Sequence, residues 1–221
     1  MRRILPLALL LPACAPLGRI RSPRLDERLR SAWALDGALG GQDARLLVLS
    51  TSAFPCGLPE EPDPDAITAA DAAWLYAWTR EGSLIVAFAL FALDAASEEG
   101  SYPVDETASP SALDDVEPRA ALAAFHAVWE AEVSAEDGIY REYEPVDEQL
   151  VLPVEGPGEL SVADDGDGLS GTFSLDSLDV SGSYRAELCP PGQDDLLSLD
   201  MLSALLGGAW AEHRDDTGGL P

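Results

Sequence analysis

Apolar and polar residues alternate most regularly in three short segments near the end of the chain, residues 160–162, 169–175 and 178–188. A period of two is typical of a β-strand with one buried face. Between these segments lie residues 164–168, rich in Asp and Gly, and the pair 176–177, and both are typical turn sequences. Several short strands joined by such turns predict an antiparallel β-sandwich or a barrel-like domain.

Two earlier segments, 31–35 and 45–50, are also apolar, and three glycines lie between them. This arrangement predicts a β-hairpin. Leu25, Leu29 and Trp33 are spaced by four residues, however, so a short helix is the alternative for the first segment.

The run 84–93 would be apolar on both faces of a strand, which is typical of a central, buried position in a sheet. Residues 119–134 fit two periods. Leu122, Phe125 and Trp129 have helical spacing, whereas residues 125–133 also alternate between apolar and polar side chains. We favour a strand for this segment.

The pattern becomes helical after Pro190, because leucines between 196 and 206 and Trp210 fall on one helical face. We therefore expect a short C-terminal helix. A helix of this length is marginal alone in water, so it must bury its apolar face. Its own β domain is the surface that we favour, and a partner protein is the alternative.

The N-terminus has the layout of a secretory signal. Arg2 and Arg3 give a positive start, an apolar run covers 4–11, and a small residue precedes Cys14. The run is far shorter than the ~20 residues that a membrane-spanning helix needs. These features predict export rather than a transmembrane anchor.

The tetrapeptide Leu11-Pro12-Ala13-Cys14 resembles the lipobox of bacterial lipoprotein precursors. The resemblance implies cleavage before Cys14 and a diacylglyceryl group on that cysteine. The lipid would hold the mature chain to a bacterial membrane in the cell envelope, facing the periplasm or the exterior. Ordinary signal cleavage after Ala15 is the alternative. The predicted divisions are a signal peptide (1–13), a lipidated tether (14–24), a β-rich domain (25–190) and a C-terminal helix and tail (191–221).

The three cysteines fit this interpretation, because lipid on Cys14 leaves an even pair, Cys56 and Cys189. Disulfides persist in exported proteins. A bridge between these two would close a separation of 133 residues (189 − 56), which is worth ~4–5 kcal/mol by loop entropy. Two separate buried thiols are the alternative, and we favour the disulfide.

Acidic residues dominate the chain, with 40 Asp and Glu against 13 Arg and no Lys. All the acids but only 11 of the arginines follow Cys14, so the mature net charge is −29 (11 − 40). This charge argues against nucleic-acid binding and repels anionic lipid head groups, so attachment must depend on the lipid. Six arginines lie between Arg19 and Arg45. Solubility or salt adaptation explains the acidity, and Ca²⁺ or a cationic protein partner is the alternative.

Motifs for cofactors and metals are incomplete. Gly166, Gly168 and Gly171 have the spacing of a dinucleotide fingerprint, but a strand rather than a helix is predicted to follow, and the neighbouring aspartates would repel a pyrophosphate. The same turn lacks the spacing of an EF-hand. His126 and His213 have no neighbours with the spacing of zinc ligands. We predict no cofactor and no metal site.

Catalytic and sugar-binding patterns are equally weak. Nothing suggests a pair of Ser170 with His126. Trp74, Tyr76 and Trp78 have spacing two and could form a sugar-stacking strand face, but core packing is the interpretation we favour. We assign no catalytic residue. The sequence therefore favours a non-enzymatic structural or binding lipoprotein, with an extracytoplasmic hydrolase or a carbohydrate-binding β-sandwich as the alternative.

Overall fold

A computed structural model of the protein describes residues 17–39, 42–53, 56, 76–91, 99–104, 120–134, 142–151, 154–164, 166 and 168–189. The described chain is mainly β, as predicted. Its strands are β1 (Gly18–Arg21), β2 (Asp26–Arg28), β3 (Ser31–Leu39), β4 (Gln42–Ser50), β5 (Ser83–Phe91), β6 (Gly100–Pro103), β7 (Ala121–Ser134), β8 (Glu142–Val151), β9 (Gly158–Asp164), β10 (Gly168–Leu175) and β11 (Val180–Leu188). Residues 76–79 are helical, and Asp176–Leu178 form a 3-10 turn.

All eleven strands belong to one sheet, with the order β6-β9-β10-β11-β3-β4-β5-β7-β8. β1 joins β11 beside this path, and β2 pairs with β1. Neighbouring strands are antiparallel except β3 and β11, which are parallel through Trp33 opposite Glu187 and Ala34 opposite Leu188. The domain is therefore one mixed sheet, so the antiparallel sandwich, one of the two predicted architectures, is not confirmed.

The sheet curls into a half-barrel, because segments from distant parts of its order meet on one edge of β7. Val104 follows β6 and forms a parallel bridge with Ala121 at the start of β7. Next to it, the Val154 amide donates to the Ala123 carbonyl at 2.8 Å. The concave side of the half-barrel is thereby closed in.

The main core fills this concave side. Phe88 of β5 and Phe173 of β10 meet edge to face with ring centroids 5.5 Å apart, although four steps of the sheet order separate their strands. Phe125 and Tyr184 are buried in the same cluster. Each large apolar side chain buried here contributes ~1.5–3 kcal/mol, so contacts across the interior stabilise the curl.

The outer face of β3, β4, β5 and β7 is buried as well. On β5, Ile85 and Ala89 are as inaccessible as Leu84 and Phe88, which confirms the prediction of a central strand with two apolar faces. Residues 121–134 form a strand, as favoured over the helix. The predicted hairpin of β3 and β4 and the three strands β9–β11 are also confirmed.

Two expectations near the N-terminus are wrong. The segment 14–24 is not simply a tether, because residues 18–21 form β1 and pair with Tyr184 through Ser181 on β11. Ile20 is completely buried there while Arg19 and Arg21 are exposed, which is the alternation of a strand. The alternative of a short helix over 25–33 is also wrong, because that stretch belongs to β2 and β3.

Gly18 permits this pairing. Its φ is +125°, which favours glycine, and a Cβ at this position would collide with the Ser183 carbonyl. The predicted signal peptide (1–13) and the predicted C-terminal helix and tail (191–221) lie outside the described residues.

Candidate functional site

The structure brings the two predicted disulfide cysteines together. The Cα atoms of Cys56 and Cys189 lie 5.8 Å apart, at disulfide distance. Cys189 directly follows β11, and its amide donates to the Ala34 carbonyl of β3 at 2.8 Å. The pair therefore joins the segment after β4 to the end of the last strand.

Cys14 lies outside the described residues, but covalent geometry limits its distance from the fold. The first described residue is Leu17, whose carbonyl accepts a hydrogen bond from the Arg185 amide at 2.7 Å. A chain spans at most ~3.6 Å per residue, so the Cα of Cys14 lies within about 11 Å of that of Leu17. Any group on Cys14 is thus held close to the start of β1.

Residues 17–31, which contain β1, β2 and the turn between them, form what we call the arginine hairpin. Ser22 closes its turn, since its Oγ accepts from the Leu25 amide at 3.0 Å. Arg19 lies opposite Arg28, and Arg21 lies opposite Asp26. Residues opposite one another on antiparallel strands share a face. Because Ile20 points into the core, these arginines project from the outer face.

Ion pairs neutralise only part of the positive charge of the arginine hairpin. Asp26 accepts a hydrogen bond from Arg19 Nε, and its Oδ1 lies 3.6 Å from Arg21 Nε. Arg24 pairs with Asp147 of β8 at 2.6 Å. The remaining two arginines of the hairpin, Arg28 and Arg30, are exposed.

Apart from these ion pairs, the five arginines of the arginine hairpin form none with a described residue. With five arginines against Asp26 and Glu27, the hairpin has a formal charge of +3. The sequence shows this concentration of arginines but not their arrangement, which depends on the register of two short strands.

His126 is the described chain's most deeply buried titratable side chain on the outer sheet face, with 1% of its surface exposed. Its ring stacks on the Trp78 indole, with centroids 4.1 Å apart and planes inclined by 6°. Its Nε2 lies 3.6 Å from Glu148 Oε2. Within the described residues, neither imidazole nitrogen forms a hydrogen bond, which costs ~1–3 kcal/mol for a buried polar group.

A network of hydroxyls holds Trp78 in this position. Ser83 Oγ donates to the Ala77 carbonyl, so it must accept from Ser52 Oγ, 2.9 Å away. The Gly82 amide donates to the Val128 carbonyl of β7 at 2.9 Å. The helical residues 76–79 are therefore fixed to the ends of β4, β5 and β7, and Trp78 covers His126.

The aromatic triplet does not form a strand face. Trp74 lies outside the described residues, and Tyr76 and Trp78 belong to a helical turn, where spacing two places them on different sides. Trp78 packs on His126 instead, which agrees with the packing interpretation. Buried Ala77 anchors the turn on the sheet.

Nor does the structure bring Ser170 to His126. His126 follows the core residue Phe125 on β7, and Ser170 follows the core residue Leu169 on β10. Both therefore project from the outer face of the curled sheet, on strands five steps apart in the sheet order. His213 lies outside the described residues. In the described part of the chain, no three His, Cys, Asp or Glu side chains are grouped so that they could hold a metal ion.

The acidic segment between β9 and β10 is a turn. Gly166 has a φ of +87°, and its amide donates to Asp164 Oδ1 at 2.7 Å. Strand β10 begins at Gly168. The helix that a dinucleotide fingerprint requires after its glycines is thus replaced by a strand, as the sequence predicts.

No helix in the described ranges is long and apolar enough to cross a bilayer. Comparison of the chain with protein-family models, with curated protein sequences and with solved structures finds no match.

Proposed function

We propose that this protein is an exported bacterial lipoprotein, held to a membrane by lipid on Cys14, whose β domain is a non-enzymatic structural or binding module. The supporting observation is the partition of its three cysteines. Cys56 and Cys189 lie at disulfide distance, so the odd cysteine is Cys14, the last residue of the lipobox-like tetrapeptide.

A disulfide between Cys56 and Cys189 is compatible with the proposed export from the cytosol. Disulfides persist in exported proteins and are rare in the cytosol.

We assign no enzymatic role because His126, the described residue best suited to act as a general acid or base, is inaccessible to a substrate. A general acid or base must reach its substrate within ~2.6–3.2 Å. His126 lies beneath the Trp78 indole and is buried. A substrate could reach it only after the helical turn 76–79 moved away.

The test is the mass and N-terminus of the processed protein. Expressed in a bacterium, the precursor is expected to yield a chain that begins at Cys14 and is heavier than residues 14–221 by its lipid. An alkynyl palmitate is expected to label the wild type and Cys56→Ser, but not Cys14→Ser. A product that begins at Pro16 with no added mass would overturn the proposal.

A further inference from the structure

We propose that the arginine hairpin binds anionic phospholipid head groups and turns the outer face of β1 and β2 toward the bilayer. This proposal rests on the lipid anchor proposed above. The lipid supplies attachment, and the hairpin supplies orientation.

The first argument is the separation of charge. Residues 17–31 have a formal charge of +3 within a mature chain of −29, so the remainder has −32. An anionic surface therefore attracts the hairpin, whereas the net charge of the remainder is repelled. The net charge alone hides this effect, because it adds the hairpin to the acidic body.

The second argument is the pairing of like charges. Arg19 and Arg28 lie directly opposite one another on an exposed face, an arrangement that destabilises a sheet. Asp26 pairs with Arg19, but Arg28 forms no ion pair with a described residue. An anionic partner outside the protein offsets the repulsion.

The strand next to β1 adds no negative charge at these positions. Arg19 and Arg21 lie beside Ser183 and Ser181 of β11. All four residues are exposed on the same face, so β11 contributes hydroxyls there, and the carboxylate beside Arg19 and Arg21 is that of Asp26.

The third argument is distance. Cys14 lies within about 11 Å of Leu17 along the chain, and the Debye length at physiological salt is ~8 Å. A lipid on Cys14 thus allows Arg19 and Arg28 to approach an anionic leaflet to within this screening length. Each arginine near such a surface favours the bound state about fivefold.

Hydrogen–deuterium exchange on membrane-bound protein tests the proposal. The purified lipidated protein is placed in vesicles of phosphatidylcholine alone and in vesicles containing phosphatidylglycerol. Amides of residues 17–31 are expected to exchange more slowly on the anionic vesicles, and high salt is expected to remove the difference. Arg28→Gln with Arg30→Gln should reduce the ratio of membrane-facing to free orientations about 25-fold, at about fivefold per arginine.

Arg80→Gln with Arg214→Gln is the matched control, because it changes the net charge equally outside the hairpin. It should retain the protection of residues 17–31. A hairpin that merely frays in the Arg28 and Arg30 variant would exchange faster on the uncharged vesicles too, and that result would overturn the proposal.

The two proposals fail differently. Absence of lipid from the purified protein refutes the anchor and, with it, the head-group contact. Equal exchange of residues 17–31 on both kinds of vesicle, by lipidated protein that floats with both, refutes the head-group contact alone.

Discussion

Replacement of both Cys56 and Cys189 by Ser is expected to lower the free energy of unfolding by about 4–5 kcal/mol. The two residues are 133 apart in sequence. For a loop of this length, the crosslink removes about 17 cal/mol/K of entropy from the unfolded chain, which is about 5 kcal/mol at 25 °C. The folded state should change little, since the Cys189 amide keeps its bond to the Ala34 carbonyl.

Urea unfolding, followed by circular dichroism, measures this difference. The double variant should unfold at lower urea, with a steeper dependence on urea because its unfolded chain is more expanded. Wild type treated with a reductant is the control, and it should behave as the variant does. A difference below about 1 kcal/mol, unchanged by reductant, would refute the reasoning from chain entropy.

Two further substitutions test buried polar groups. Burial, and secondarily Tyr102, raises the pKa of Tyr184 above its ordinary value of 10.0. The neutral hydroxyl therefore contributes fully to stability below pH 10.0, and this contribution is lost at higher pH, where Tyr184 ionises in the unfolded chain. Tyr184→Phe should lower the free energy of unfolding by about 0.5–1.5 kcal/mol at pH 7, because it removes the 2.8 Å hydrogen bond from the Tyr184 hydroxyl to the Ser161 carbonyl. In urea titrations, the variant should lose less stability than the wild type as the pH rises above 10.0. Parallel pH profiles of the two proteins would contradict this. His126→Phe should keep the stack on Trp78, remove two nitrogens that form no hydrogen bond within the described residues, and raise stability by about 1 kcal/mol in thermal unfolding. Destabilisation by a similar amount would show that the imidazole has a polar partner.

Strands with a regular apolar period could be predicted from the sequence, and polar strands could not. β10 and β11 alternate cleanly because one face packs in the core. β8, in contrast, was not predicted. Within the described residues it lies at the end of the sheet order, pairs with β7 alone and is largely exposed, so burial does not select apolar residues along it.

The arginine hairpin, which we propose as the membrane-binding surface, could be predicted from the sequence only in part. The sequence shows where the arginines are concentrated, but prolines at 16 and 23 suggest a tether. The strand forms because Ile20 finds a place in the core and Gly18 fits against Ser183, a residue 165 positions later. Local patterns contain no information about such distant partners.

The position of β11 has a consequence for the order in which the protein folds. One edge of β11 pairs with β10, and the other pairs first with β1 and then with β3. Gly18 therefore cannot pair with Tyr184 until β11 has been made. Contacts so distant in sequence form slowly compared with local hairpins such as β3–β4. The sheet therefore cannot be completed until synthesis has passed residue 188, the last of β11.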